Sequence, residues 1–243
     1  MAGRRTKVPR FYFNFRSPYS WLAHHDLTVH HPDVARAVEW RPWWEPDERN
    51  ERRVSEAGGH FPYAAMSREK HLYILQDVRR LTRDRGLPVT WPVDDNPLWE
   101  VPHLAYFVAL AEGRGPEYIE RVYRARWLEG RDICARETVA QIAEDLALPV
   151  ARMTGAADDE ELREREGLPA LLAIARDGAF GVPFFTYGYD KFWGVDRLPA
   201  FVAAVRARGG RRAPAPPSAG PSRPGADFVA ARSGDQGHEG GCG

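Results

Sequence analysis

The sequence predicts an α/β fold in which a long helical segment separates two groups of β-strands. Three observations support this. The first 44 residues alternate strand, helix and strand; residues 66–177 have helical spacing; and residues 182–208 have the pattern of two strands followed by a helix. The predicted order is therefore β-α-β, a helical insertion, and β-β-α.

The first strand is predicted at residues 10–15, where phenylalanine alternates with Tyr12 and Asn14. Ser17 then has the position of a helix N-cap and Pro18 that of the first helical residue, and the helix is expected to end near Pro32. Residues 37–44, "AVEWRPWW", form the second predicted strand. A helix between two strands favours parallel pairing.

The middle of the chain is predicted to contain five helices between residues 66 and 177. Apolar residues with helical spacing mark them: Ile74, Leu75, Val78 and Leu81; Leu104, Phe107, Val108 and Ala111; Ile119, Val122 and Tyr123; Val139, Ile142, Ala143 and Leu146; and Leu168, Leu171, Leu172 and Ala175. Residues 182–188 and 191–194 predict a hairpin, and a last helix contains Leu198 and Phe201.

After residue 208 the composition changes. Residues 209–243 contain 9 Gly and 5 Pro, and this predicts a disordered tail that follows a domain at residues 10–208. Cys242, inside that tail, is interpreted as an incidental thiol.

Composition narrows the classes of function. Lys+Arg and Asp+Glu both number 34, so no net charge favours nucleic acid or an anionic membrane. Only two cysteines are present, Cys134 and Cys242, which excludes a disulfide framework. No signal peptide or membrane span is visible, and we expect a cytoplasmic protein.

The predicted strand order is that of the thioredoxin fold. In that fold, a strand followed by a helix N-terminus is where redox proteins place Cys-x-x-Cys, and this chain has Ser17 and Ser20 there. The order also places Val182-Pro183 where the fold has a cis proline beside the active site.

These motifs resemble the 2-hydroxychromene-2-carboxylate isomerases and the related kappa-class glutathione transferases, within the DsbA-like thioredoxin superfamily. Six segments carry the resemblance, in order: "FYFNFRSPYSWLA", "VEWRPWW", "KHLYILQDVRRLTRDRGLPVTWP", "ARWLEGRDI", "GAFGVPFF" and "FWGVDRL". They extend from about residue 10 to residue 206.

The resemblance implies a glutathione site or a site for another low-molecular-weight thiol, no metal, a small-molecule substrate and a homodimer. It implies that Ser17 is the catalytic residue that faces the sulfur. The cofactor-binding residues that it implies are His60, Lys70, Tyr73, Val182, Pro183 and Asp196.

The chemistry of the turn is consistent with that role. Serines cannot exchange disulfides, but a hydroxyl donor at a helix N-terminus favours a thiolate placed against it. The alternative is that Ser17 is only a helix cap. Likewise, Lys70 and Asp77 could belong to a solvated charged face, and Asp196 could cap the last helix.

Other candidate groups have simpler interpretations. The histidines at positions 24, 25, 30 and 31 lack the spacing of a metal motif and are interpreted as surface residues, and Cys134 is interpreted as buried or inert. Ser20 is expected to be a packing or helix-surface residue. The tryptophans at 40, 43 and 44 are expected to form core and cleft wall.

The predicted function is a thiol-dependent cis–trans isomerase of a conjugated, aromatic or polyene, small molecule. Two alternatives remain at this point: a kappa-like glutathione transferase, and a non-catalytic thioredoxin-like binding module. Consumption of the thiol distinguishes the isomerase from the transferase, because an isomerase leaves the thiol unchanged.

Overall fold

The computed structural model describes residues 6–62 and 66–209 of the chain. The segments 1–5, 63–65 and 210–243 are outside the described residues, so the predicted tail and Cys242 are outside them too. Within the described part, the chain has a four-stranded mixed sheet in the order β2-β1-β3-β4.

The strands are β1 (Thr6–Phe13), β2 (Glu39–Pro42), β3 (Phe184–Gly188) and β4 (Asp190–Trp193). β1 pairs in parallel with β2 and antiparallel with β3, and β3 pairs antiparallel with β4. The parallel pair and the hairpin are both as predicted, and they confirm the thioredoxin-like order.

The central strand β1 is covered on both faces. Phe11 and Tyr12 are both fully buried, although the alternating pattern separates them onto opposite faces. Phe11 stacks on Phe185, which stacks in turn on Phe201. On the other face, the Tyr12 hydroxyl donates to Asp177 at 2.7 Å. Burial on both sides is what helices packed on each face of a sheet impose.

Eleven α-helices are present among the described residues: α1 (Pro18–His30), α2 (Pro32–Ala37), α3 (Glu48–Glu56), α4 (Arg68–Asp84), α5 (Glu100–Ala111), α6 (Gly115–Trp127), α7 (Arg136–Asp145), α8 (Val150–Gly155), α9 (Glu160–Leu162), α10 (Leu168–Asp177) and α11 (Leu198–Gly209). A π-helical segment, Arg163–Gly167, joins α9 to α10, and a 3₁₀ turn, Val195–Arg197, precedes α11. None of these helices has the length and apolar content that crossing a membrane requires.

All five predicted insertion helices are present, as α4, α5, α6, α7 and α10. The helical region begins earlier than predicted, however, because α3 starts at Glu48. Its sequence, "ERNERRVSE", has a single large apolar residue, Val54, so it shows no apolar stripe. An Asp47 cap that accepts from the Asn50 amide at 2.9 Å sets its start.

Strand register brings distant segments to one edge of the sheet, which we call the site edge. Tyr12 pairs with Phe184, so the end of β1 lies beside Pro183. The Gly194 amide donates to the Pro183 carbonyl at 3.0 Å, and the Trp43 amide donates to the Phe13 carbonyl at 2.7 Å. The site edge therefore gathers the segments 14–17 and 182–183 together with Gly194. The Val182–Pro183 bond is cis, as predicted.

Candidate active site

Ser17 caps helix α1 at the site edge. Its backbone is extended, with φ −84° and ψ 118°, and its Oγ accepts a hydrogen bond from the Ser20 amide at 3.2 Å. No acidic residue lies in the first turn of α1, so the positive end of the helix dipole is not neutralised there. Since Ser17 Oγ is the acceptor in the cap, its hydroxyl hydrogen is available to a ligand.

Asn14 anchors the turn that leads into Ser17. Its amide donates to Ser20 Oγ at 3.3 Å, and its carbonyl accepts from the Ser17 amide at 3.1 Å. The Tyr123 hydroxyl also donates to that carbonyl, at 3.3 Å, and the Arg16 amide donates to Asn14 Oδ1 at 2.8 Å. With only 2% of its surface exposed, Asn14 is held through both its backbone and its side chain.

Ser20 has a more specific role than the expected packing. It is fully buried, and its hydroxyl accepts the Asn14 amide. The two serines of the turn thus have different roles. Ser17 caps the helix, and Ser20 holds the end of the preceding strand. Sequence reasoning did not single out Asn14 or Tyr123, because their roles depend on contacts between segments about 100 residues apart, such as the 109-residue separation of Tyr123 and Asn14.

A buried histidine completes the frame around the turn. His103 Nε2 accepts from the Phe15 amide at 3.3 Å, and we assign the proton to Nδ1, which lies 2.7 Å from the Trp99 carbonyl. Burial lowers the pKa of His103 to about 3. The imidazole is therefore neutral, and a neutral imidazole can accept one hydrogen bond while donating the other.

Helix α4 is fixed over the first turn of α1. The Tyr19 hydroxyl donates to Asp77 Oδ2 at 2.9 Å. Burial, with that hydrogen bond, raises the pKa of Tyr19 well above its ordinary value. Asp77 is thus a tertiary contact and not only part of a solvated face. Lys70 and Tyr73 lie on the same side of α4 and are exposed, as groups that meet a ligand must be.

Two further segments border the site edge. His60 is exposed in the loop after α3, next to Phe61, whose ring lies 4.6 Å from that of Trp43. Asp196 is exposed in the 3₁₀ turn and pairs with Arg197 at 3.3 Å. Within the described part of the chain, no hydrogen bond reaches the backbone of Val182.

The structure thus brings Ser17, Val182 and Pro183 to one edge, whereas the Asp196 side chain lines a cavity with Asp26, His30 and Arg85. It places the predicted ligands of α4 and of the His60 loop on elements packed against that edge. Cys134 is not a competing nucleophile, because burial and the charge of Asp132 raise the pKa of its thiol to about 12. That agrees with the interpretation of Cys134 as inert.

Comparison with known families identifies the fold. Residues 10–206 match the family model described as a DSBA-like thioredoxin domain, which is most of the chain. The protein therefore belongs to the DSBA-like thioredoxin family.

Curated relatives indicate which class of enzyme the protein belongs to. The chain is 26% identical over 189 residues to a 2-hydroxychromene-2-carboxylate isomerase of Pseudomonas putida, covering 77% of this chain and 89% of the relative. It is 27% identical over 205 residues to one of Sphingobium xenophagum, covering 79% and 95%. The protein is an enzyme of the isomerase class, similar to the 2-hydroxychromene-2-carboxylate isomerases.

Solved structures agree on the fold. A 2-hydroxychromene-2-carboxylate isomerase aligns with a TM-score of 0.66 at 23% identity, over 83% of this chain and 96% of that one. A cytosolic disulfide reductase of Pseudomonas aeruginosa, solved with GSH, aligns with a TM-score of 0.55 at 18% identity, over 82% and 98%.

Proposed function

We propose that this isomerase uses a glutathione-type thiol, held at the N-terminus of α1, to interconvert cis and trans forms of a small conjugated molecule. The observation that carries the proposal is Ser17, a capping hydroxyl that keeps its own hydrogen for a ligand at an uncompensated helix N-terminus. A thiolate is the ligand that this combination of dipole and donor favours.

The surrounding groups fit a peptide-like thiol. The open backbone of Val182 offers an edge to which an extended peptide can pair. Lys70 supplies an exposed positive charge and Asp196 an exposed negative charge, so carboxylate and amino groups of one ligand could both be matched. Both features support a charged, peptide-like cofactor.

When bound, the thiol supplies a nucleophile that adds to a conjugated alkene and leaves again after the bond has rotated. Ser17 donates its hydrogen bond to the sulfur and, together with the helix dipole, favours the ionised form. Asn14, Ser20 and His103 hold the turn so that this hydroxyl keeps its direction. No residue of the chain changes oxidation state, which agrees with serine at both redox positions.

An aromatic substrate is the best match for the border of the site. Phe61 is half-buried and packs on Trp43 beside the end of β1, so the Phe61 ring is the part of this aromatic pair that can meet a substrate. Trp43 and Trp44 are both buried and belong to the core, where Trp44 stacks on His103. The named relatives make 2-hydroxychromene-2-carboxylate the first substrate to test.

The test is an isomerisation assay with that substrate, with and without glutathione, in which free thiol and substrate adduct are both quantified by mass spectrometry. We expect conversion that requires thiol and leaves its total unchanged. A stable thiol adduct that accumulates in proportion to turnover would instead identify a transferase. Conversion at the same rate without any thiol would overturn the role assigned to the N-terminus of α1.

A panel of small thiols in native mass spectrometry identifies the cofactor. We expect one thiol to bind with a stoichiometry of one per chain. Ser17→Ala should lower the affinity of the protein for the ionised form of that thiol. Glutathione is the first member of the panel, and thiols with other polar ends test whether Lys70 and Asp196 select the charges.

A further inference from the structure

A second polar site lies at the opposite end of α1, and we propose that it binds a divalent transition-metal ion of the Zn²⁺ type. His25, Asp26 and His30 each contribute one ligand atom there, and the three atoms lie within 4.8 Å of one another. Two imidazoles and a carboxylate are a donor set that suits zinc, nickel or copper.

The helix places these groups together. Asp26 and His30 are four residues apart and share one face of α1. His25 Nδ1 lies 3.3 Å from Asp26 Oδ1, and the rings of His25 and His30 are 6.1 Å apart. Two ligands bound tetrahedrally at ~2.1 Å are separated by about 3.4 Å, so the first pair already has the spacing of neighbouring ligands. His30 is exposed and can reach the ion by rotating its side chain.

Arg85 orients the carboxylate without using all of its acceptor positions. Its Nε lies 2.8 Å from Asp26 Oδ1 and a terminal nitrogen lies 2.6 Å from Oδ2. An ionised carboxylate offers about four lone-pair positions, so an oxygen bound to Arg85 still has one for a metal. Carboxylates that bind a metal are themselves usually hydrogen-bonded by an outer group, and Arg85 has that position here.

The surroundings favour a cation and leave room for water. A cavity of about 460 Å³ is lined by Asp26, His30 and Arg85 together with Asp84 and Asp196. Two of these carboxylates are already ion-paired, Asp26 with Arg85 and Asp196 with Arg197, and Asp84 adds a further negative charge. The helices α1 and α4 both end at this cavity, and the negative end of a helix dipole attracts a positive ion. Water from the cavity can complete the coordination.

The sequence alone gives these histidines no metal motif, because one ligand is a carboxylate between them and the cavity is built by α4 and α11. The cavity shares Asp196 with the proposed thiol site, but none of the three proposed metal ligands caps or contacts Ser17 in the structure. Failure of the metal site would therefore leave the proposed function intact.

The test is calorimetric titration of Zn²⁺ into the full-length protein after treatment with a chelator. We compare wild type, His30→Ala, and the double variant His25→Ala/His30→Ala. Because His30 is exposed, its replacement leaves the fold in place, and circular dichroism checks this for both variants. We expect one site in wild type and affinity at least about 10-fold lower in each variant.

The matched control is His71→Ala, which removes an exposed histidine of α4 that does not line the cavity. It should bind Zn²⁺ as wild type does. Visible absorption of Co²⁺ gives a second measurement, with a tetrahedral spectrum expected in wild type and lost in the double variant. Equal Zn²⁺ affinity in wild type and the double variant, or no binding to wild type, would overturn the proposal.

Discussion

The two ends of helix α1 are built from different chemistry. At the N-terminal end, the turn is held by neutral groups, the hydroxyls of Ser17, Ser20 and Tyr123 and the uncharged imidazole of His103. Charges lie at its border, where Glu45 pairs with Arg16 and Asp77 accepts from Tyr19. The C-terminal end is framed by charges, with Asp26 held between Arg85 and His25. Thirteen residues, a length of about 20 Å, separate them.

The contrast is the basis for proposing one site at each end of the helix. At the N-terminus, α1 has no acidic residue of its own in the first turn, so the helix dipole favours a bound anion there. At the other end, charged side chains dominate the field, and a cation is the ion that fits. The predictions below test this division in order of decreasing effect.

Two buried histidines should make stability depend on pH. The interpretation of His24 as a surface residue was wrong, because it is buried against Trp40 and Tyr123. Burial lowers the pKa of both His24 and His103 to about 3, whereas in the unfolded chain both titrate near ~6.5. Between these values the unfolded state binds more protons, so stability falls as the pH drops from about 6.5 toward 3. The slope is up to about 1.4 kcal/mol per pH unit for each histidine.

Urea unfolding between pH 7 and pH 4.5 measures this slope. His24→Phe provides the comparison, since a phenyl ring can keep the packing against Trp40 and Tyr123. The variant should lose about half of the pH dependence from histidine. An unchanged slope in the variant would show that His24 does not contribute.

Replacing Ser17 should separate catalysis from capping. Ser17→Ala removes the donor to the thiolate, and we expect the turnover rate to fall roughly 100-fold, as on the loss of one donor to a developing anion. Ultraviolet titration of bound thiolate should move toward the free value near ~8.5. The helix cap is lost as well, at about 1 kcal/mol of stability.

Ser17→Thr is the matched control, because threonine keeps both a hydroxyl and a cap. The Ser17→Thr variant should keep the pKa of the bound thiol low, even if the added methyl group slows the reaction. Identical titrations in wild type and Ser17→Ala would show that the residue is only a cap.

The charged end should respond to Asp26→Asn in stability but not in thiolate pKa. Burial raises the pKa of Asp26, but the hydrogen bonds from Arg85 outweigh it and hold the value below the ordinary one. Losing this charge-assisted pair should cost about 2 kcal/mol in urea unfolding, and less at high salt. Asp33→Asn breaks the exposed pair with Arg206 and should cost less. An equal cost for both would contradict the distinction.

The smallest effect should come from Tyr19→Phe. It removes the hydrogen bond to Asp77 that fixes α4 above the first turn of α1. We expect a loss of about 1 kcal/mol of stability and a few-fold rise in KM for the thiol, with kcat little changed. The control is Arg79→Ala, which removes a neighbouring exposed side chain of α4 and leaves the Tyr19–Asp77 hydrogen bond in place. A fall in kcat instead would indicate that Tyr19 contacts the reacting atoms.

The local patterns of the sequence determined most of the fold. Ser17-Pro18 starts α1, five apolar stripes give five helices, and the Gly188 turn gives the hairpin. These features depend on neighbours within a few residues, so spacing and capping chemistry reveal them. Helix α3 was missed because a single apolar residue, Val54, holds it to the core.

Only the tertiary structure decided what surrounds the two ends of α1. Asn14 meets Tyr123, Phe15 meets His103 and Asp26 meets Arg85 across separations of 109, 88 and 59 residues. No periodicity in the chain encodes such pairs, because each arises from the packing of whole helices. The sequence therefore located Ser17 at the cap of α1, while the packing set the direction of its hydroxyl and surrounded the two ends with different groups.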